Sequence, residues 1–282
     1  MFRNPLAVVI GAGSGMGAAV ARRLRASGHD LLLADLREDS LRGLANELGA
    51  ETAAVDISDD TAVQALASRA TAGVQSLVVS AGLSASMASF ERIIDVNLGG
   101  STRVLNAFAS VMNSGGSAVL FSSIAGHVPG TVSDETEAAL RASREPSLGA
   151  RVLATLPSEM RVTGVAYALS KYGVLRLMER TAVEWGKRGL RICSVSPGLI
   201  DTPMGRLESE ANGDAVAAAL AAAPIPRRGT ADEVAGVVSF LCSPAASFMT
   251  GCDLVVDGGW LASMRAATGD ALGGVLAKAR NK

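Results

Sequence analysis

Histidine, cysteine and aromatic side chains are scarce in this chain, and each shortage removes a class of chemistry. The only two histidines among 282 residues are His29 and His127, far apart in sequence. Metal ligation and a Ser-His-Asp hydrolase are therefore not expected, and each histidine reads as a surface or loop residue. The three cysteines, Cys193, Cys242 and Cys252, are odd in number and lack CxxC spacing, which fits reduced, mostly buried thiols in a cytoplasmic protein. No stretch is basic and the net charge is −1, arguing against nucleic acid as a partner. The longest apolar runs, such as "SAVLF" and "AVAAALAAA", fall well short of a membrane span. The opening "MFRNPLAVVIGAG" has neither the length nor the cleavage site of a signal peptide. With 49% hydrophobic and 19% charged residues, the chain is expected to fold around a substantial core.

What is present is a rhythm. The runs "LAVVI", "DLLLAD", "TAAVDI", "SLVVSAG", "SAVLFSS", "LRICSVSPG" and "DLVVDGG" read as seven strands, several buried on both faces of a parallel sheet. Helical patterns lie between them at 15–27, 38–48, 59–70, 91–112 and 164–187. Another, "TADEVAGVVSFLCSP", opens with Thr230 and Glu233 in capping-box spacing. This alternation predicts a single α/β domain over residues 1–282, a doubly wound Rossmann fold with a seven-stranded parallel sheet and helices on both faces. Two segments interrupt the rhythm. Residues 127–163 carry their own helix signals, Ser133 before Asp134 and Glu135, then Glu137 four residues ahead of Arg141. Residues 203–226 hold an alanine-rich apolar helix between Pro203 and the pair Pro224 and Pro226, and read as a lid. Such excursions are where binding surfaces tend to be built, although a purely structural role suits the first equally.

"VVIGAGSGMGAAVARRL" follows a strand and opens a helix. Glycines there permit a tight turn and close approach of backbone to a pyrophosphate, and the helix start offers unpaired N–H groups and positive potential. Gly13, Gly15 and Ala18 fit one dinucleotide-binding spacing; Gly11, Gly15 and Gly17 fit another. Asp35 ends the second strand 18 residues past Gly17, where a carboxylate can accept hydrogen bonds from adenosine ribose hydroxyls and repel a 2′-phosphate. NAD is therefore favoured over NADP, against the reservation that Arg37 lies close by.

"YALSK" places Tyr167 and Lys171 four residues apart, on one face of a helix. The pair alone does not separate a catalytic acid from two ordinary amphipathic side chains. The ordered set of motifs resembles the short-chain dehydrogenase/reductase family from residue 6 to about 260. Gly11, Gly15 and Gly17 match its glycine turn, with Ile10 where the family has threonine, so one turn-supporting hydrogen bond is expected to be missing. Asp56 matches the acidic residue beside adenine, and Ser80, Ala81 and Gly82 stand where Asn-Asn-Ala-Gly is usual. Asn97, Ser123, Tyr167 and Lys171 match the catalytic positions, and Pro197, Gly198, Ile200 and Thr202 the nicotinamide-side loop. The resemblance also brings Ser14, Met16, Leu36 and Ile57 to the cofactor.

By that resemblance Tyr167 is the acid/base, Ser123 hydrogen-bonds the substrate oxygen, Lys171 binds the nicotinamide ribose, and Asn97 holds a water linking the lysine to solvent. A phenol titrates near 10, and the Lys171 ammonium is expected to lower it. Ser122 competes with Ser123, but adjacent strand residues face opposite sides, and the family pattern selects Ser123. Tyr172 competes with Tyr167 but directly follows the lysine and faces elsewhere. The 44-position spacing from Ser123 to Tyr167 departs from the shorter gap of most members and resembles the bacterial 3α-hydroxysteroid dehydrogenase/carbonyl reductase subgroup. The insertion at 127–163 either shapes the substrate mouth or alters subunit contacts. An apolar extension at 261–282 reads as a docked helix or partner contact. The expectation is an NAD-dependent alcohol/ketone oxidoreductase for a hydrophobic, steroid-like substrate, homo-oligomeric as dimer or tetramer. An NADPH-dependent acyl-thioester ketoreductase and a non-catalytic dinucleotide sensor are the alternatives.

Overall fold

In the computed structural model the residues described are 3–70, 72–128 and 130–267. Strand β1 (Leu6–Ile10) is buried along its whole length, as its unbroken apolar sequence requires. Alternate side chains go to opposite faces: Leu6, Val8 and Ile10 join one core cluster, Ala7 and Val9 the other. The chain continues through α1 (Gly15–Ala26), β2 (Asp30–Asp35), α2 (Glu38–Leu48), β3 (Glu51–Ala54), α3 (Asp60–Ser68), β4 (Val74–Val79), α4 (Phe90–Ile94) and α5 (Ser101–Phe108). It proceeds through β5 (Met112–Phe121), α6 (Asp134–Arg141), α7 (Leu148–Ala154), α8 (Thr163–Gly186), β6 (Arg191–Pro197), β7 (Ile200–Asp201), α9 (Pro203–Ala211) and α10 (Gly213–Ala222). It closes with β8 (Gly229–Thr230), α11 (Ala231–Cys242), β9 (Asp253–Val256) and α12 (Trp260–Ala267).

Among the described residues, seven strands form one parallel sheet in the order β3-β2-β1-β4-β5-β6-β9. Helices α1, α2 and α11 cover one face; α3, α4, α5 and α8 cover the other. Strand order reverses at β1, so a crevice opens at the carboxyl ends of β1 and β4, where ligands bind in such sheets. The seven expected strands are these seven, and the α11 capping box forms between Thr230 and Glu233.

The sequence pattern missed one local feature. The helix expected over 91–112 is α4 and α5 joined by a π-helical turn, Asp95–Gly100, and β5 already begins at Met112. The wider turn displaces backbone bonding, and two hydroxyls bond back to the carbonyls four residues earlier: Ser101 Oγ to Asn97 O at 2.6 Å and Thr102 Oγ1 to Leu98 O at 2.9 Å.

The insertion folds as α6 and α7. Ala139, Leu140, Leu148 and Val152 enter the core beside α4 and α8. Gly149 N donates to Asp95 Oδ1 at 2.8 Å, and Arg144 Nη2 to Asn106 Oδ1 at 2.7 Å. Within this fold it backs the helices of one face. Leu261 of α12 is buried; the remainder of the expected extension, 268–282, lies outside the described residues. The histidines are more engaged than expected. His127 Nε2 lies 3.0 Å from Asp253 Oδ2 and 3.1 Å from Ser196 Oγ, and half-buried His29 bonds Leu24 O through Nδ1.

Candidate active site

The expected site residues fall almost entirely at or just past the carboxyl ends of the strands, which gathers them in one crevice. The turn after β1 is fixed from both neighbours: Gly11 N donates to Ala34 O, while Ser80 and Ala81 N both donate to Ile10 O. Gly11 and Gly17 are where glycine is required. Gly11 has φ +89°, and a Cβ on Gly17 would run into the Gly11 carbonyl. The bond expected to be missing at Ile10 is replaced from the next strand: Ser80 Oγ donates to Ile10 O at 3.0 Å and Gly11 O at 3.2 Å. Ser14 caps α1 by position without a side-chain bond, and the first helical turn holds no acidic residue. The α1 amino terminus thus keeps its positive end toward the crevice, and with the glycine cradle it fits a pyrophosphate.

Asp35 ends β2 beside this turn, its Oδ2 accepting from Gly13 N at 2.9 Å; Leu36 beyond it is exposed. Asp56 accepts from Ser58 N and Oγ and pairs with Arg92 at 2.9 Å. Partial burial opposes ionisation there, but Ser58 and Arg92 outweigh it and hold the carboxyl below its usual range. Ile57 is buried against Gly100. On the far wall Gly198 N donates to Val256 O, buried Ile200 pairs with Gly229, and Thr202 Oγ1 caps α9 through Gly205 N. A Cβ on Gly15 would lie 3.2 Å from Thr202 Cγ2, so the two walls meet here.

At the centre, Ser122 and Ser123 diverge as the strand geometry demands. Ser122 Oγ donates to Lys171 O at 2.9 Å, whereas the Ser123 hydroxyl lies toward Tyr167, where it favours the ionised phenol, and accepts from Ala125 N at 3.2 Å. Lys171 is buried, its Nζ donating to Phe121 O at 2.8 Å and lying 5.8 Å from the Tyr167 ring centre. Burial alone pushes the amine down to about 8. The expected lowering of the phenol is absent. Tyr167 is half-buried, and loss of water around its phenol raises its pKa; Ser123 opposes the rise and the Glu208 carboxylate adds to it. The reason is geometric: the ammonium is turned toward Phe121 O and does not offset desolvation. Asn97, almost fully buried, accepts from Leu83 N at 2.7 Å and donates to Leu83 O and Ser170 Oγ. Its side chain clamps the loop after β4 to α8.

Two family profiles divide the chain: "short chain dehydrogenase" matches residues 5–134 and "Enoyl-(Acyl carrier protein) reductase" residues 136–261. Short-chain dehydrogenase/reductase bsc3 of Alternaria brassicicola is 37% identical over 268 residues, covering 90% of this chain and 95% of its own. This chain belongs to the short-chain dehydrogenase/reductase family. It is also 30% identical to the 3-alpha-hydroxysteroid dehydrogenase/carbonyl reductase of Comamonas testosteroni, over 92% of this chain and 97% of that one. The crystal structure of BdcA in complex with NADPH superposes with a TM-score of 0.71 at 26% identity, covering 90% and 93% of the two chains.

For a short-chain dehydrogenase/reductase of this kind, one further group in the crevice had no signal in the sequence. Glu208, on α9, reaches the loop after β4 and accepts from Ser86 Oγ at 2.7 Å and Ser86 N at 3.3 Å. Burial opposes its charge, but these donors prevail and hold the carboxyl below its usual range. Glu208 and Glu210 look alike in "RLESEANGD"; only the fold turns one inward. A separate cavity of about 250 Å³ lies behind α8, lined by His127, Tyr172 and Arg176 among others. Arg176 stands nine residues from Tyr167, half a helical circuit away, so this cavity is not the reaction cleft.

Proposed function

We propose that this family member interconverts a secondary alcohol and its ketone with NAD, on a largely hydrophobic substrate of which steroid-like skeletons are one form. The convergence of Tyr167, Ser123 and Lys171 at the end of β5 carries the reading. Gly11–Gly17, Asp35, Asp56, Ser80–Gly82 and Pro197–Thr202 would hold the dinucleotide, with Lys171 toward the nicotinamide ribose. When bound, that cofactor supplies or accepts the hydride. Asp35 supports NAD, because a second negative group beside its carboxylate would be repelled.

Tyr167 moves the proton. Held neutral by burial, its hydroxyl donates to a carbonyl oxygen, and Ser123 aligns that oxygen through a second hydrogen bond. Lys171, titrating near 8, is charged at neutral pH yet able to release a proton, which suits replenishment of the phenol. The proposal includes a homo-oligomeric, cytoplasmic enzyme. Exposed Phe240, Phe248 and Val255 near edge strand β9 support self-association. Free Cys193 and Cys252, with sulfurs 3.5 Å apart, support a reducing compartment.

Replacing Tyr167 by Phe tests the mechanism. Turnover is expected to fall by about 10³-fold while cofactor affinity stays nearly unchanged in a titration. Undiminished alcohol oxidation by that variant would remove Tyr167 from the reaction.

A further inference from the structure

The lid contributes more than cover. Glu208 stands on α9, and its carboxylate crosses to a loop 122 residues earlier in the chain, where it meets Ser86. Among the described residues its hydrogen-bond partners are Ser86 and Asn212, both uncharged. Arg206 of the same helix pairs with Asp201 at 3.5 Å, and Arg228, just past the segment, bonds Ser209. The loop it reaches begins at Gly82, where a Cβ would stand 3.4 Å from Lys171 Nζ, so this carboxylate, held by neutral donors, borders the cleft of Tyr167 and Lys171. Ser86 is exposed, so its hydroxyl can be exchanged for another donor without opening the core.

We propose that Glu208 sets the substrate's charge preference, turning away anionic alcohols and ketones and receiving a hydroxyl or ammonium donor on the substrate's skeleton. This rests on Tyr167 being the reacting group, because only then does the crevice beneath Glu208 hold the substrate. A half-buried carboxylate left facing another carboxylate is a repulsive element of the sort that specificity requires. A donor arriving there replaces a serine hydroxyl one for one. The substrate is therefore apolar over most of its surface and uncharged or cationic at one further position.

The test uses three ring alcohols of one skeleton: trans-4-hydroxycyclohexanecarboxylate, its primary amide and trans-4-aminocyclohexanol. With the intact enzyme and saturating cofactor, kcat/KM for the carboxylate is expected to be at least about tenfold below that for the amide. In Glu208→Gln that gap should close to within about threefold, by a rise for the carboxylate, while the amine falls. Ser86→Ala and Glu210→Gln should keep the wild-type order. A Glu208→Gln variant that slows all three equally would make the contact a mechanical latch and overturn the proposal. A wild type indifferent to the carboxylate would do the same. If the ring alcohols are bound but not turned over, calorimetry on the enzyme–cofactor complex reads the same order, and absence of charge dependence or of any binding counts against it. The binding order should survive in Tyr167→Phe, so a failure of the acid/base assignment and a failure of the charge preference appear in different variants.

Discussion

The two walls of the crevice are built on different terms. The wall after β1 is tied to the sheet at every step: Gly11 and Ala12 bond Ala34 O, Ser80 and Ala81 return to Ile10 O, and Val20, Ala21 and Leu24 of α1 are buried. The facing wall, α9 and α10, has none of this. No residue of α10 is buried although its sequence is strongly apolar, Leu207 of α9 is half-exposed, and α9 is held through side chains such as Thr202, Arg206, Glu208 and Ser209. The function proposed above divides along the same line: a cofactor common to many enzymes would meet the rigid wall, and the substrate the wall with little fold behind it, where change is tolerated and motion is available.

Substitutions on each wall can sharpen or break this contrast. Gly17→Ala should have the largest effect: its methyl group meets the Gly11 carbonyl and the Ser80 hydroxyl, so cofactor affinity should fall by about a hundredfold and the protein should lose about 1–3 kcal/mol. Titration with the dinucleotide and denaturant unfolding report both. Asp35→Ala comes next, with the NAD-to-NADP ratio of kcat/KM expected to drop about tenfold. A wild type already preferring NADP would refute the role given to Asp35.

Lys171→Met separates chemistry from stability. The amine titrates near 8 folded and about 10.5 unfolded, so the unfolded chain binds more protons between those values. Its charge is a full burden on the fold below about pH 8 and is relieved as pH rises toward about 10.5. The variant should lose activity yet melt a few degrees higher than wild type at pH 7, with that gap narrowing by pH 10. Smallest of all, Gly213→Ala at the start of α10 meets open space and should change stability by less than about 0.5 kcal/mol. If Gly213→Ala were as damaging as Gly17→Ala, the contrast between the walls would be wrong.

What the sequence made legible follows the same physics. The strands, the glycine turn and the Tyr167–Lys171 spacing are local patterns, set by periods of two and 3.6, and they stand where expected. That only one of Ser122 and Ser123 could face the tyrosine followed from strand alternation, and the family resemblance selected Ser123. What escaped depends on groups distant in the chain or on burial. Glu208 meets Ser86 across 122 residues, and nothing in its neighbours marks it off from Glu210. The phenol's shift was expected with the wrong sign, because helical spacing says that Lys171 is near but not that its Nζ points to Phe121 O. The single helix expected over 91–112 was wrong in kind, since the broad turn at Asp95–Gly100 keeps the same apolar face.

That turn makes residue count, apart from residue identity, a condition of the site. Each residue of an α-helix advances about 100°. Removing one from the stretch would let it wind regularly and turn the side chains of the broad turn about the axis, so that Asn97 lost its grip on Leu83. Substitution can be absorbed here one position at a time, but a codon-length deletion can not, and the reading frame of this helix is as much a part of the crevice as any side chain in it.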